Sequence, residues 1–230
     1  MRPLVIVRPE PGASATAEAA RQLGLEPVVL SLFKVQRLEW EPPRPDDFDA
    51  LLFTSANAVR EGGPGMGPLR KLPAHCVGGA TARAARDLGF EVGKVGEGRV
   101  DSLLESLPAG LRLLHLCGWH RREPKLPRQE IHVIPVYRAA ELPAPDGFRE
   151  IDESVICVHS PRAAALVGRT ADDVGLQRES IAIAAISPEA AQAAGNGWEA
   201  VVAAAEPSET ALLAIAAELC KNPRRWSGQW

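Results

Sequence analysis

The sequence predicts an α/β protein of two lobes, each built on a parallel sheet. Three observations carry this expectation. Strand-turn-helix units recur along the chain, one of them is nearly duplicated, and two proline-rich stretches interrupt the pattern. TAEAARQLGLE (16–26) and TARAARDLGFE (81–91) share eight of eleven residues. Both end on a glycine placed to stop a helix.

Taken in order, Leu4–Val7 is a short apolar run of the kind a buried strand makes. Ser14 is placed to cap a helix running to Leu23, which Gly24 stops, and Pro27–Phe33 reads as the next strand. Such a β-α-β unit favours a parallel sheet. DALLFTSANAV (49–59) and ESVICVHSPRAAAL (153–166) repeat the lead-in, and PEAAQAAGNGWE (188–199) is a looser third copy of the helix. Strand-to-loop junctions fall at 5–12, 51–57, 76–81, 113–123, 155–161 and 183–188. Six junctions suit two related lobes with three each, and their uneven spacing excludes a solenoid.

Lys34–Pro45 and Arg138–Pro145 are proline-rich and lack a helical period. If both are crossings between lobes, residues 1–33 join 139–230, and 34–138 form an inserted second lobe. A double hinge with a cleft would then separate them. In open parallel sheets, ligands bind beyond the carboxyl ends of the strands. Small residues there bring backbone N–H groups to the surface, and helix starts add partial positive charge. The turns TSAN (54–57), GGAT (78–81), HSPR (159–162) and ISP (186–188) therefore read as walls of an anion-binding cleft.

Composition narrows the classes. A net charge of −3 argues against a general nucleic-acid surface. No apolar run reaches membrane-spanning length, and the start MRPLVIVRPEPG turns polar too soon for a signal peptide. Cys76, Cys117, Cys157 and Cys220 are far apart and form no CxxC, so they read as reduced thiols of a cytoplasmic protein. GGPGMG (62–67) follows no strand and is broken by Pro64 and Pro68, so it reads as a flexible surface turn rather than a nucleotide loop. WHRRE (119–123), with His115 and Cys117, lacks a second ligand pair at zinc spacing. The end NPRRWSGQW (222–230) reads as disordered.

The ordered set VIVRPEPGAS, PVVLSLF, FDALLFTSANAV, HCVGGATARAARDLGFE, DSLLESL, VIPVYR, VICVHSPRAAA and IAAISPEAAQAAGNGWEAVVAAAEPSETALL resembles the uroporphyrinogen-III synthase (HemD-like) family over 2–218. The resemblance implies two flavodoxin-like lobes joined by a two-stranded connector, with the cleft between them. It implies a lyase that converts hydroxymethylbilane to uroporphyrinogen III, with loss of water and inversion of the last ring. It also implies a cytoplasmic monomer using neither metal nor organic cofactor, and no nucleic-acid or membrane partner. The substrate carries eight carboxylates and can close unaided to the non-inverted isomer. Orientation, with help to the leaving hydroxyl, is therefore what the enzyme supplies.

The resemblance makes Tyr137, the only tyrosine, the acid that would protonate the departing hydroxyl; the plainer reading is a tyrosine that packs at a strand end. Arg8, Thr54, Ser55, Asn57, Gly78, Thr81, Ser160, Arg162 and Ser187 are the expected substrate-binding residues. Thr81 is also expected to cap a helix, and Pro161 and Pro188 suit first helical positions whatever the ligand. Glu189 departs from the family's threonine-bearing turn and would oppose a polycarboxylate. The rival readings are a non-catalytic binding module for a tetrapyrrole or other polyanion and an unrelated nucleotide enzyme. The absence of a P-loop or GxGxxG motif opposes the nucleotide enzyme.

Overall fold

The computed structural model of the chain describes residues 1–121 and 123–221, so the 222–230 end read as disordered and Arg122 of WHRRE lie outside it. Strand β1 is Leu4–Ile6 and helix α1 is Gly12–Gln22. Helix α1 buries Ala13, Thr16, Ala17 and Ala20, whose three- and four-residue spacing makes one face. It does not start at Ser14. That residue lies inside the first turn, where its amide and hydroxyl donate to the Glu10 carboxylate at 3.0 and 2.9 Å. A carboxylate just before the helix satisfies the free amide and suits the positive helix end.

The strand expected over 27–33 is two strands, β2 (Pro27–Val29) and β3 (Phe33–Arg37). Between them the Leu30 and Leu32 amides still donate to Ile6 and Val7 along the end of β1, and β3 then pairs elsewhere. Next come β4 (Ala50–Phe53), α2 (Ala56–Glu61), β5 (Ala74–Cys76), α3 (Gly79–Asp87), β6 (Val92–Val95), α4 (Val100–Glu105), β7 (Arg112–Gly118) and β8 (Glu130–Glu141). The chain ends with β9 (Val155–Val158), α5 (Pro161–Val174), β10 (Ala182–Ala185), α6 (Pro188–Ala193), β11 (Ala200–Ala203) and α7 (Glu209–Lys221).

The duplicated motif has a common physical end. Gly24 and Gly89 adopt φ of 72° and 80°. After each, Leu25 donates to Ala20 and Phe90 to Ala85, which closes a Schellman turn and buries the following apolar residue.

Two compact units divide the described residues: Met1–Lys34 with 141–221, and Val35–Ala140. In the first, the sheet order is β11-β10-β9-β1-β2, all parallel. Every residue of β1, β9 and β10 is buried, as expected of strands covered on both faces. Leu4, Val155, Cys157, Ala182 and Ala184 form one core with Leu212, Leu213, Ala216 and Leu219 of α7.

The second sheet has the order β3-β8-β7-β4-β5-β6, and β8 through β6 are parallel. Strand β3 runs against β8: Leu38 donates to Val136 while Leu142 donates to Leu32. Both proline-rich stretches thus begin inside strands, β3 reaching Arg37 and β8 reaching Glu141. Their residues are mostly half-buried or exposed, so no apolar run marks them.

GGPGMG is not a loose surface turn. It forms a 3-10 turn over Gly63–Met66, Met66 is buried, and the Trp40 indole donates to the Gly62 carbonyl at 2.9 Å. A Cβ at Gly65 would come within 2.8 Å of the Trp40 ring. All four cysteines are buried free thiols, and no described helix is long and apolar enough to cross a membrane.

Candidate active site

In the second unit the parallel strands β4, β5 and β7 end side by side, and three turns leave that edge. Ser55 follows β4 in extended conformation and caps α2, its hydroxyl accepting from the Asn57 amide at 3.1 Å. The same oxygen accepts from the Tyr137 hydroxyl at 3.0 Å. Two accepted bonds use its lone pairs, and its own proton remains to donate. Burial pushes the Tyr137 phenol above its ordinary pKa, against the pull of the Ser55 hydrogen bond. The phenol therefore stays protonated at neutral pH.

Thr54, one residue earlier, places its hydroxyl 2.9 Å from Nε2 of His115 on β7. His115 is 1% exposed. Burial, with the Arg121 charge adding to it, pushes the imidazolium down to about 4, so the ring is neutral at pH 7. Gly78 follows the β5 edge and caps α3 without a side chain. Helix α3 starts at Gly79, so Thr81 is its third residue and is buried, which corrects its expected role as the cap.

In the first unit, Ser160 caps α5 through the Ala163 amide at 3.1 Å, and Ser187 caps α6 through the Ala190 amide at 3.3 Å. Pro161 and Pro188 are the first helical residues. Arg8 after β1, Thr16 on α1 and His159 after β9 converge on one carboxylate, that of Glu209 at the start of α7. The distances are 3.1 Å from Arg8, 2.5 Å from Thr16 and 3.2 Å from His159. Burial alone would raise the Glu209 carboxyl. The hydrogen bonds from His159 and Thr16 and the Arg8 charge outweigh it and hold it at about 2. Burial pushes His159 down. Arg162 meets Glu141 at 3.2 Å, and its guanidinium lies 4.9 Å over the Phe33 ring.

Thr54, Ser55, Asn57 and Tyr137 are thus brought together at one strand end, with Gly78 on the neighbouring turn and Thr81 in the first turn of α3. Arg8 sits instead with Thr16, His159 and Glu209; none of these is among the expected substrate-binding residues, although His159 opens the HSPR turn read as a cleft wall. The available signal for Glu209 was EPSET (206–210) after the apolar run 200–205, a strand-to-helix junction beyond the six counted. Ser208 caps that helix, accepting from the Ala211 amide at 3.2 Å.

Two α/β units with parallel-dominated sheets, their strand ends leading into serine-capped helices, define a protein of the two-unit α/β class. Residues 14–214 match the family described as "Uroporphyrinogen-III synthase HemD", and the chain belongs to that family. Its fold is similar to that of uroporphyrinogen-III synthetase from Helicobacter pylori, at 20% identity and a TM-score of 0.62, covering 95% of this chain and 100% of that one. It is also similar to a mutant uroporphyrinogen III synthase from Thermus thermophilus, at 20% identity and a TM-score of 0.50, covering 96% and 100%. No curated protein sequence matches the chain.

Proposed function

We propose that the chain is a lyase of tetrapyrrole biosynthesis, closing hydroxymethylbilane to uroporphyrinogen III with loss of water and inversion of ring D. Family membership supports the reaction class. The observation that carries the residue reading is the Tyr137 hydroxyl held on the helix-capping hydroxyl of Ser55. Loss of the hydroxymethyl oxygen needs a proton as the C–O bond breaks, and a buried, protonated phenol can deliver it. The electron-rich pyrrole stabilises the cation left behind. The enzyme's remaining task is to hold the chain so that the inverted ring closes first.

The capped turns suit the substrate's carboxylates. Thr54, Ser55, Asn57, Gly78 and Thr81 are assigned to carboxylate or leaving-group contact through hydroxyls and helix-start amides. Arg8, Ser160, Arg162 and Ser187 are assigned to carboxylates on the same chemical ground. The reading extends to a cytoplasmic monomer that needs no metal or organic cofactor, and the four reduced, buried cysteines agree with that compartment.

Product isomer analysis tests it. Purified protein is given freshly generated hydroxymethylbilane, and the oxidised products are separated by chromatography. Enzyme-dependent uroporphyrin III is expected. Isomer I alone from a folded sample would replace catalysis with the non-catalytic binding of a polyanion.

A further inference from the structure

Tyr137 reaches Ser55 only because β8 breaks its own alternation. Along β8, Ile131 packs on one face of the sheet with Ala50, Leu52 and Leu113. Ile134 and Val136 pack on the other, with Phe53, Ala56, Ala58 and Val59 of the β4–α2 region. Strict period-two alternation would send residue 137 back to the face of Ile131. The ladder prevents this. Cys117 pairs with Pro135, but Gly118 pairs with Tyr137, leaving Val136 as an extra residue. Pro135 has no N–H to give the ladder, so the break falls where pairing is already weak. The bulge returns Tyr137 to the face of α2, where it packs beside Val136.

On that face the ring meets Gly118. A Cβ built there would lie 2.8 Å from Cζ of Tyr137, 3.0 Å from its hydroxyl oxygen and 3.2 Å from Cε1. The Gly118 backbone is not left-handed, so its own conformation does not call for glycine. The ring has little freedom to yield. Its hydroxyl is bound to Ser55, and its carbonyl accepts from the Trp119 amide at 2.8 Å.

We propose that Gly118 is a positioning residue for Tyr137: the side chain it lacks is the space that seats the phenol over the end of β7 and onto Ser55. Its relevance to turnover rests on the reading of Tyr137 given above. Its structural claim does not.

The single tyrosine makes the claim directly measurable. Phenolate absorbance at 295 nm, followed against pH, reports Tyr137 alone, with far-ultraviolet circular dichroism checking that the fold persists. The parent protein is expected to titrate above the ordinary value of about 10. Gly118→Ala should displace the ring toward water; the lost burial is the larger cause of the raised value, so it outweighs the lost Ser55 bond and brings the titration back toward that value. Superimposable curves for the two folded proteins would overturn the proposal.

If Gly118→Ala alone does not fold, the double variant Gly118→Ala/Tyr137→Ala decides. Removing the ring should make the added methyl harmless, so the double variant should melt with Tyr137→Ala. A double variant that melts well below Tyr137→Ala, or does not fold, would overturn the proposal. Turnover is read separately. A Gly118→Ala protein with a shifted titration but undiminished isomer III formation supports the seat and removes Tyr137 from the reaction.

Discussion

The Tyr137 hydroxyl donates to the Ser55 hydroxyl oxygen at 3.0 Å across 82 residues of sequence. One oxygen thereby serves two purposes, capping α2 through the Asn57 amide and holding the phenol. This shared oxygen links helix stability to the proposed acid.

Tyr137→Phe removes the proton donor and leaves the ring. Formation of isomer III should fall about 100-fold in kcat with little change in KM, the size expected of a lost general acid. Melting should shift little, since a single hydrogen bond contributes about 1 kcal/mol. Steady-state kinetics with isomer separation measures this, and unchanged turnover would remove Tyr137 from the mechanism.

Ser55→Ala takes away both functions of that oxygen. Loss of the cap should cost about 1 kcal/mol in a denaturant titration. Because the Ser55 hydrogen bond pulls the phenol down, its removal should raise the Tyr137 titration further. An unaltered 295 nm titration would show that the bond is not formed in solution.

His115 gives an acid sensitivity of known sign. Its folded pKa of about 4 lies below its unfolded value of 6.5, so the unfolded chain binds the extra proton. The buried neutral ring contributes its full stability above pH 6.5, and that contribution falls away as pH drops toward 4. The total loss is roughly 3 kcal/mol. His115→Gln keeps a group able to bond Thr54 and should flatten this part of the stability profile. An equally steep profile in the variant would place the sensitivity elsewhere.

Glu209 acts lower on the scale. Its carboxyl is held at about 2 against a reference of 4.5. Its stabilisation is therefore present above about pH 4.5 and lost as pH falls toward 2. Glu209→Gln should melt below the parent at pH 7, and the gap should close on acidification. A gap that stays constant with pH would mean that the Arg8, Thr16 and His159 contacts do not depend on the charge.

Thr81 separates binding from stability. It is a buried residue of the first turn of α3 and not the cap. Thr81→Val keeps the shape and removes only the hydroxyl, so no capping loss should appear. A raised KM for hydroxymethylbilane at unchanged melting would show the hydroxyl at the ligand.

Much of the architecture was readable without coordinates. The TAEAARQLG and TARAARDLG copies, the glycines after them and the fully apolar strands carry local signals: one buried stripe per helix, a left-handed stop, a strand covered on both faces. Ser55, Ser160 and Ser187 were readable for the same reason, since a serine between strand and helix has a short-range use. The extents of β3 and β8 were not, because their half-exposed residues make no apolar run. Ser14 and Thr81 misled because the capping pattern is short: Pro11 and Gly78 hold the cap positions, and the Glu10 carboxylate accepts from Ser14.

From local pattern alone the chain determines its alternation of strands and helices, its helix stops and the serines at its strand ends. Those depend on periods of two and 3.6 residues and on turn chemistry. Two things depend on groups distant in sequence. One is the Arg8, Thr16 and His159 set around Glu209, whose Thr16 partner lies 193 residues away. The other is the face on which Tyr137 emerges, set by the extra residue Val136 and the open space at Gly118. No local preference encodes either, because each exists only once the strands are in register and burial has brought the groups together.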